Sequence, residues 1–225
     1  MATALESVLL QNPGSDTVTH SSLIDTSLQL CEVLSREFIL CAACERIQER
    51  MADTIAEMQA GDVIARIQED SLLEEQRWSR RFARSLEEED EQYVQTTDVK
   101  YRVSNKPEAL AERRRLLLTI RPLLEAYAAS CECLRDSTQK QAVKTTLELL
   151  TERVARRNMN YGEAVSTDAI KNCHRLLKQW GVIDIRSQHR ERVISVAPPY
   201  RGRGELAAVC GNITKFNVDS PLLKQ

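Results

Sequence analysis

The sequence has few of the residues on which turn-rich folds depend. Its 225 residues include seven glycines, six prolines and 4% aromatic side chains, whereas β-sandwiches, barrels and glycine-loop nucleotide folds use more of all three. An excess of one charge is also missing, because 31 Lys and Arg stand against 33 Asp and Glu. Bulk charge therefore excludes a polyanion-binding chain. Hydrophobic residues make up 42%, which is ordinary for a globular protein, and we predict a mainly α-helical fold.

Long apolar runs are missing too. The longest, from Phe38 to Cys44, has seven residues, whereas a membrane-spanning helix needs about 18. No basic residue precedes Arg36, so the N-terminus lacks the basic region of a secretory signal and the arginine-rich face of a transit peptide. The last four residues, Leu-Leu-Lys-Gln, are not a peroxisomal address. We expect a chain without a transmembrane segment that is soluble and cytosolic when isolated.

Cysteine occurs seven times, an odd number, mostly inside helical patterns, which is typical of reduced, buried thiols. Cys41 and Cys44 have the spacing of half a zinc site or of a redox pair. The other close pair, Cys131 and Cys133, is separated by one residue, unlike a structural zinc knuckle. His174 directly follows a cysteine, so on a helix the two side chains point in different directions. We therefore predict no metal site, and no pattern in the chain requires a cofactor.

Composition divides the chain into five predicted regions. They are a flexible N-terminal lead-in over residues 1–18, a helical pair over 19–68, an acidic and partly disordered connector over 69–106, a helical region over 107–200 and a C-terminal tail over 201–225. The turn cluster Asn-Pro-Gly-Ser at residues 12–15 indicates the lead-in. Five consecutive acids at residues 87–91 mark the connector.

Apolar spacings of three and four residues predict the buried faces of the helices. In the helical pair, the faces run through Leu23, Ser27, Leu30 and Leu34, and through Cys44, Ile47, Met51, Ile55 and Met58 up to Gly61. Residues 62–67 fit either a strand or a last helical turn. A longer helix is predicted to begin at Pro107, with Pro122 kinking or splitting it near Thr119. A further helix is predicted over about residues 137–157.

The pattern changes in the last third of the chain. Ser166 can cap a helix that ends at Gly181. Residues 182–185 and 193–196 have the composition of two strands, joined by a polar turn at 187–191. A helix packed on such a hairpin is a winged-helix-like unit.

This unit is also the most basic part of the chain. From Arg153 to Arg203, eleven cations face four carboxylates. One alternative function is therefore a nucleic-acid or protein-interaction module that uses Lys171, Arg175 and Lys178 on the helix and Arg190 on the wing. The interpretation we favour is a solvated face that balances the acidic connector, with no nucleic-acid partner.

One pair of residues has the spacing of a catalytic motif. His20 and Asp25 fit the H-x4-D pattern of glycerolipid acyltransferases, in which an Asp-held His deprotonates a hydroxyl that attacks an acyl thioester. Such a short pattern is weak by itself. It stands at the start of a predicted helix, and neither a glycine-rich oxyanion motif nor an arginine-bearing phosphate motif follows it. We interpret it as a coincidence and predict no catalytic residue in this chain.

Four segments resemble one family in order and spacing. Residues 122–127, Pro-Leu-Leu-Glu-Ala-Tyr, are similar to a run in the C-terminal region of mitochondrial-type glycerol-3-phosphate acyltransferases. Residues 30–37 resemble that family's Leu-Cys-x-x-Leu-Ser-x-Glu, and residues 75–78 its Glu-Gln-x-Trp before an acidic stretch. The segment 182–196 resembles its closing hairpin. The similarity extends over about residues 22–197, with Arg121 in place of the family's glycine and no counterpart for the basic tail.

The resemblance implies a helical C-terminal domain whose partner is the family's acyltransferase catalytic domain, in the same longer protein or in a paralogue. Full-length relatives transfer an acyl group from acyl-CoA to glycerol 3-phosphate at the outer mitochondrial membrane. This chain is expected to lack that catalytic domain and to stabilise or regulate it, with peripheral membrane association through it. The resemblance also predicts exposed apolar surface on the helices at Leu23–Met58 or Leu110–Leu134.

Overall fold

The computed structural model describes residues 1–38, 44–67, 98–134, 142–156, 162–188, 191–218 and 221–223. The fold is mainly helical, as predicted. Its helices are α1 (Ala2–Gln11), α2 (His20–Val33), α3 (Cys44–Ala60), α4 (Pro107–Leu134), α5 (Ala142–Ala155), α6 (Thr167–Gln179) and α7 (Arg203–Thr214). Its strands are β1 (Thr17–Thr19), β2 (Ile64–Arg66), β3 (Lys100–Val103), β4 (Ile183–Gln188) and β5 (Glu191–Val196). Single 3-10 turns lie at Gly162–Ala164, Pro198–Tyr200 and Pro221–Leu223.

Residues 2–8 of helix α1 are buried on every side, so the prediction of a flexible lead-in over residues 1–18 is wrong for this helix. Its residues 2–8 are each at most 8% exposed. A helix of ten residues is marginal in water by itself, because nucleation is costly and few hydrogen bonds offset it. α1 is held by packing along α2 and against α4. A helix that is buried all round has no polar face, so its sequence shows little of the periodicity that identifies a surface helix.

Three short strands form an antiparallel sheet in the order β1-β3-β2. Residues 62–67 fitted either a strand or a last helical turn, and residues 64–66 of this segment form strand β2. The central strand is β3, with Tyr101 and Val103 buried at 5% and 4% exposure. This part of the predicted connector is therefore ordered sheet, whereas its residues 69–97 lie outside the described residues.

The first core lies between this sheet and the N-terminal helices. Its largest members are Leu5, Val8, Leu23, Ile55, Met58, Ile64 and Tyr101. Met51, Ile55 and Met58 are buried on α3, as the spacing predicts. The main partner of α2 is α1, and α3 packs against β2.

A buried ion pair joins α1 to α4 beside this core. The Nε of Arg113 donates to Oε1 of Glu6 over 2.9 Å, and Nη2 donates to the same oxygen. Nη1 of Arg113 also donates to the carbonyl of Ser104 over 3.2 Å. Both charged side chains are 5% exposed. The pair therefore fixes where α1 lies along α4.

The second core is formed by the C-terminal half of α4 together with α5, α6, the β4–β5 hairpin and α7. Leu206, Cys210, Ile213 and Phe216 are at most 6% exposed in it. Residues 203–216 are thus part of the main hydrophobic core, and the prediction of a separate C-terminal tail over 201–225 is wrong for them. Leu30, Val33 and Leu34 at the end of α2 reach the same core.

Helix α4 is continuous through Pro122, so the predicted split near Thr119 is wrong. A proline inside a helix costs about 3 kcal/mol, because it removes one hydrogen bond and crowds the preceding turn. Leu117 and Leu124 flank this turn and are each 2% exposed. Burial of such residues on both sides of Pro122 offsets the local cost.

The helix and hairpin predicted in the last third are present, and α6 packs on β4. The side chain of Ser166 accepts from the amide of Ala169 over 3.3 Å and caps α6. Gly181 has a positive φ of 71°, which suits the residue after a helix end. The strands pair out to Gln188 and Glu191, so the connection between them is shorter than the predicted turn at 187–191.

Candidate functional site

His20 and Asp25 are not joined to each other in the described part of the chain. The Nδ1 of His20 lies 3.0 Å from the hydroxyl of Tyr101 on β3. Asp25 is exposed on the outside of α2. The carboxylate near His20 is Asp98, which accepts hydrogen bonds from the amide of Ser21 over 3.2 and 3.3 Å. A catalytic His needs a carboxylate that orients its ring, and Asp25 does not have this position.

Asp98 instead closes the N-terminal end of α2. Partial desolvation opposes ionisation, but hydrogen bonds from Ser21 and Thr19 and the nearby His20 hold the pKa of its carboxyl below the ordinary value. A carboxylate at this end of a helix also interacts favourably with the unpaired amides and the helix dipole. Ser21 and Asp98 are 77 positions apart, so their contact could not be predicted from the sequence.

Two of the family-like segments meet directly in the structure. Glu37 is the last residue of segment 30–37, and Tyr127 is the last residue of segment 122–127. The hydroxyl of Tyr127 donates to Oε1 of Glu37 over 3.0 Å, across 90 positions of sequence. Tyr127 is fully buried. Residues that looked like separate motifs in the sequence therefore form one contact, which we call the motif junction.

The chemistry of the motif junction favours a structural role. Burial, followed by the negative charge of Glu37, raises the pKa of Tyr127 far above its ordinary value, so the phenol keeps its proton and acts as a donor. The thiol of Cys173 on α6 donates to the main-chain carbonyl of Tyr127 over 3.8 Å. A permanently protonated phenol is neither a general base nor a nucleophile at neutral pH.

The segment 30–37 is also fastened to α6 by polar contacts. The side-chain amide of Asn172 donates to the main-chain carbonyl of Arg36 over 3.3 Å, and the guanidinium of Arg36 donates to Oε1 of Gln179 over 2.6 Å. The indole Nε1 of Trp180 donates to Glu32 over 2.9 Å. Together these contacts hold the end of α2 along the outward face of α6.

Glu125, within the segment 122–127, binds the C-terminal part of the chain. Its Oε1 accepts from Arg121 over 2.8 Å and its Oε2 accepts from Asn217 over 3.3 Å. The Nη1 of Arg121 also donates to the carbonyl of Val218. Arg121 is the position at which this chain departs from the family's glycine. Here the arginine holds residues 217 and 218 against α4, which gives the departure a structural reason.

The cationic residues predicted on α6 lie on one outward stripe. Arg175 and Lys178 are exposed, and Lys171 is half-buried. The Nζ of Lys171 lies 3.8 Å from Asp168, and Arg175 donates to Oδ1 of Asn172 over 2.8 Å. The opposite side of α6 is buried in the second core. Arg190 of the predicted wing lies outside the described residues.

Five cysteines of the described ranges are in the thiol form. Cys131, Cys133, Cys173 and Cys210 are buried, and Cys31 is half-buried. Among the described residues, no three His, Cys, Asp or Glu side chains are grouped so that they could hold a metal ion. The spacing of Cys41 and Cys44, which fits half a zinc site or a redox pair, is not tested, since residue 41 lies outside the described ranges.

His174 is a buried titratable group that the sequence patterns did not identify as unusual. It is 2% exposed, and its Nε2 has no hydrogen-bond partner in the described part of the chain. Burial lowers its pKa from 6.5 to about 4. The folded chain therefore holds a neutral imidazole where the unfolded chain would become protonated.

We expect the free energy of unfolding to decrease as the pH is lowered, because His174 is buried in its neutral form. Above the unfolded pKa of 6.5 the imidazole is neutral in both states and has no effect. As pH falls from 6.5 to about 4, the unfolded state gains a proton that the folded state excludes, which costs up to about 3 kcal/mol. In urea titrations at a series of pH values, His174→Gln should remove that part of the pH dependence. Arg175→Gln, at the next and exposed position, should leave it unchanged; equal pH profiles for wild type and His174→Gln would contradict the expectation.

Comparison with known proteins gives a family match but no curated relative. A model of the glycerol-3-phosphate acyltransferase C-terminal region matches residues 1–186. None of the curated proteins compared with the chain matches it. None of the helices in the described ranges is long and apolar enough to cross a membrane. The matched residues contain α1–α6 and the motif junction, whereas α7 lies beyond them.

Proposed function

The chain belongs to the family of glycerol-3-phosphate acyltransferase C-terminal regions, and from this membership we propose that it is a non-catalytic part of such an enzyme. Its role is to stabilise or regulate the catalytic domain, which is supplied by the same longer protein or by a paralogue. That domain transfers an acyl group from acyl-CoA to the hydroxyl of glycerol 3-phosphate, an early step of phospholipid and triacylglycerol synthesis. The location that goes with this role is the cytosolic face of the outer mitochondrial membrane.

The observation that supports this proposal most is the motif junction. Glu37 and Tyr127, two ionisable residues of the family-like segments, are bonded to each other at the edge of the second core. Glu125 is likewise occupied by Arg121 and Asn217. These contacts hold α4 to the end of α2 and to residues 217 and 218. A region whose distinctive residues maintain its own shape is suited to act as a rigid partner.

The geometry at His20 also favours a non-catalytic role. The ring of His20 is bonded to Tyr101, and Asp25 lies on the exposed side of α2. A general base in acyl transfer must reach the hydroxyl whose proton it takes. The predicted apolar docking surface gives less support to the proposal. On α4, Leu116 is the large apolar residue that is exposed, at 37%, and single exposed apolar residues are common on monomers.

The proposal is tested by reconstitution from two polypeptides. The chain is purified alone and together with the catalytic part of a mitochondrial-type glycerol-3-phosphate acyltransferase, and acyl transfer from labelled acyl-CoA to glycerol 3-phosphate is measured. We expect no product from the chain alone. Added at about 100 times its dissociation constant, it should stabilise the catalytic part by about 2.7 kcal/mol, seen as a longer half-life at elevated temperature.

Two variants make this experiment decisive. His20→Ala should stabilise the catalytic part as well as wild type does, because it removes no proposed contact. Arg113→Ala breaks the buried ion pair between α1 and α4 and destabilises the chain, so it should no longer lengthen the half-life of the catalytic part. Acyl transfer by the chain alone that disappears in His20→Ala would refute the non-catalytic assignment. An unchanged half-life of the catalytic part would refute the stabilising role.

A further inference from the structure

The outward side of α6 carries cations that no carboxylate of the described residues binds. Arg36, Arg175 and Lys178 have no carboxylate partner among the described residues; Arg36 and Arg175 are bonded to the neutral amides of Gln179 and Asn172. The guanidinium of Arg36 reaches Gln179, the residue after Lys178, at the C-terminal end of α6. We call this set, with Phe38, the α6 face.

Exposed cations elsewhere in the described chain are commonly paired. Arg115 binds Glu112 and Lys144 binds Glu148 on their own helices, and Arg156, the residue after α5, binds Glu152. Lys171, on the same side of α6, has such a partner, with its Nζ 3.8 Å from Asp168. Two carboxylates border the α6 face: Glu32 accepts the indole proton of Trp180, and Glu37 accepts from Tyr127. Within the described residues, Arg36, Arg175 and Lys178 thus form a local group of exposed cations that no carboxylate binds.

An exposed aromatic ring accompanies these cations. Phe38 is 43% exposed, and it lies two residues beyond Arg36 in a tight turn in which its amide donates to the carbonyl of Leu34. A large apolar ring in water loses the free energy that burial would provide. Cations beside an exposed aromatic ring are the combination that suits the boundary between lipid headgroups and acyl chains.

We propose that the α6 face binds an anionic lipid surface, with Arg36, Arg175 and Lys178 on the headgroups and Phe38 at the acyl boundary. The spacing of Lys171, Arg175 and Lys178 places them along one side of a 13-residue helix whose other side is buried in the core, so they can meet a flat surface together. Each cation near an anionic membrane contributes about fivefold in affinity, equivalent to about 1 kcal/mol. Such binding is weak and reversible and acts as one of two membrane signals.

Nucleic acid is the competing partner for the same cations. A duplex would be recognised through several phosphate contacts and through groups that reach base edges. The α6 face offers three unneutralised cations and a phenyl ring that has no role on a duplex backbone. Lipid is therefore the partner that uses every member of the face.

The experiment is co-sedimentation of the whole chain with vesicles of phosphatidylcholine, with or without about one third phosphatidylserine. We expect binding to the anionic vesicles alone, weakened as salt is raised from about 0.1 M to about 1 M, because the screening length falls from about 10 Å to about 3 Å. Arg175→Gln/Lys178→Gln should weaken binding about 25-fold. Phe38→Ala should weaken it severalfold without changing the salt dependence.

A matched control separates the α6 face from net charge. Lys144→Gln/Arg156→Gln removes the same charge from α5 and should bind anionic vesicles as wild type does. If both double variants lost the same amount of affinity for anionic vesicles, the assignment of lipid binding to the α6 face would be overturned. An absence of binding of the wild-type chain to anionic vesicles would overturn it as well. Tighter binding to labelled duplex DNA than to vesicles, abolished by Arg175→Gln/Lys178→Gln, would assign the face to nucleic acid and also overturn it. The measurement uses the chain alone, so its result does not depend on the proposed acyltransferase role.

Discussion

Replacing Arg113 with alanine is expected to destabilise the folded chain by about 3–5 kcal/mol. Arg113 and Glu6 are each 5% exposed and meet between α1 and α4. Removing one partner of a buried ion pair leaves the other charge desolvated without its counter-ion, which costs more than the pair itself contributes. Urea unfolding followed by far-UV circular dichroism at pH 7 measures the change as a shift of the midpoint.

Two further variants identify the cause of that loss. Arg115→Ala lies two positions away on the same helix, where its guanidinium is 70% exposed and pairs with Glu112. It should cost no more than about 1 kcal/mol, because exposed pairs contribute little. Glu6→Gln/Arg113→Met removes both charges and should recover most of the stability. An Arg113→Ala variant within 1 kcal/mol of wild type would contradict the role of the pair.

Replacing Phe216 with alanine is expected to cost about 3–5 kcal/mol as well. Its ring is fully buried in the second core, and Lys215 Nζ lies 5.0 Å from the ring centroid. Truncation of a buried Phe loses the transfer free energy of the ring and leaves a cavity. The midpoint of thermal unfolding should fall by several degrees for each kcal/mol lost.

The control for this variant lies on the same terminal segment. Asn212 is exposed on α7, and Asn212→Ala should change stability by less than about 0.5 kcal/mol. If residues 203–216 were a dispensable tail, Phe216→Ala would be as harmless as Asn212→Ala. That result would contradict the placement of α7 in the core.

The amphipathic elements were predictable because each has one buried side. Leu23, Ser27 and Leu30 on α2 are buried at the predicted spacing, and α4 begins at Pro107 as expected. The cap at Ser166 and the end at Gly181 were visible because few residue types suit those positions. In each of these cases the residues that identify the element lie within one or two helical turns of one another.

The elements that were missed depend on distant partners. The segment of α1 was predicted to be flexible because residues 12–15 form a turn cluster. In the structure, Glu6 of α1 is paired with Arg113, 107 positions away. Residues 203–216 were predicted as a tail, since they follow Pro198–Tyr200 and lie beyond the family-like segments, yet they complete the second core.

The sequence by itself determined the helical class, the start of α4, both ends of α6 and the family, because all of these follow from local spacing and from short runs of residue types. Only the tertiary structure decided that Glu37 meets Tyr127, that His20 meets Tyr101 and lies near Asp98 in place of Asp25, and that no carboxylate of the described residues binds Arg175 or Lys178. The contacts of Tyr127 and of His20 join residues that are about 80 to 90 positions apart. Neighbours at such separations are set by how the helices pack, and packing depends on the shape and burial of the whole core.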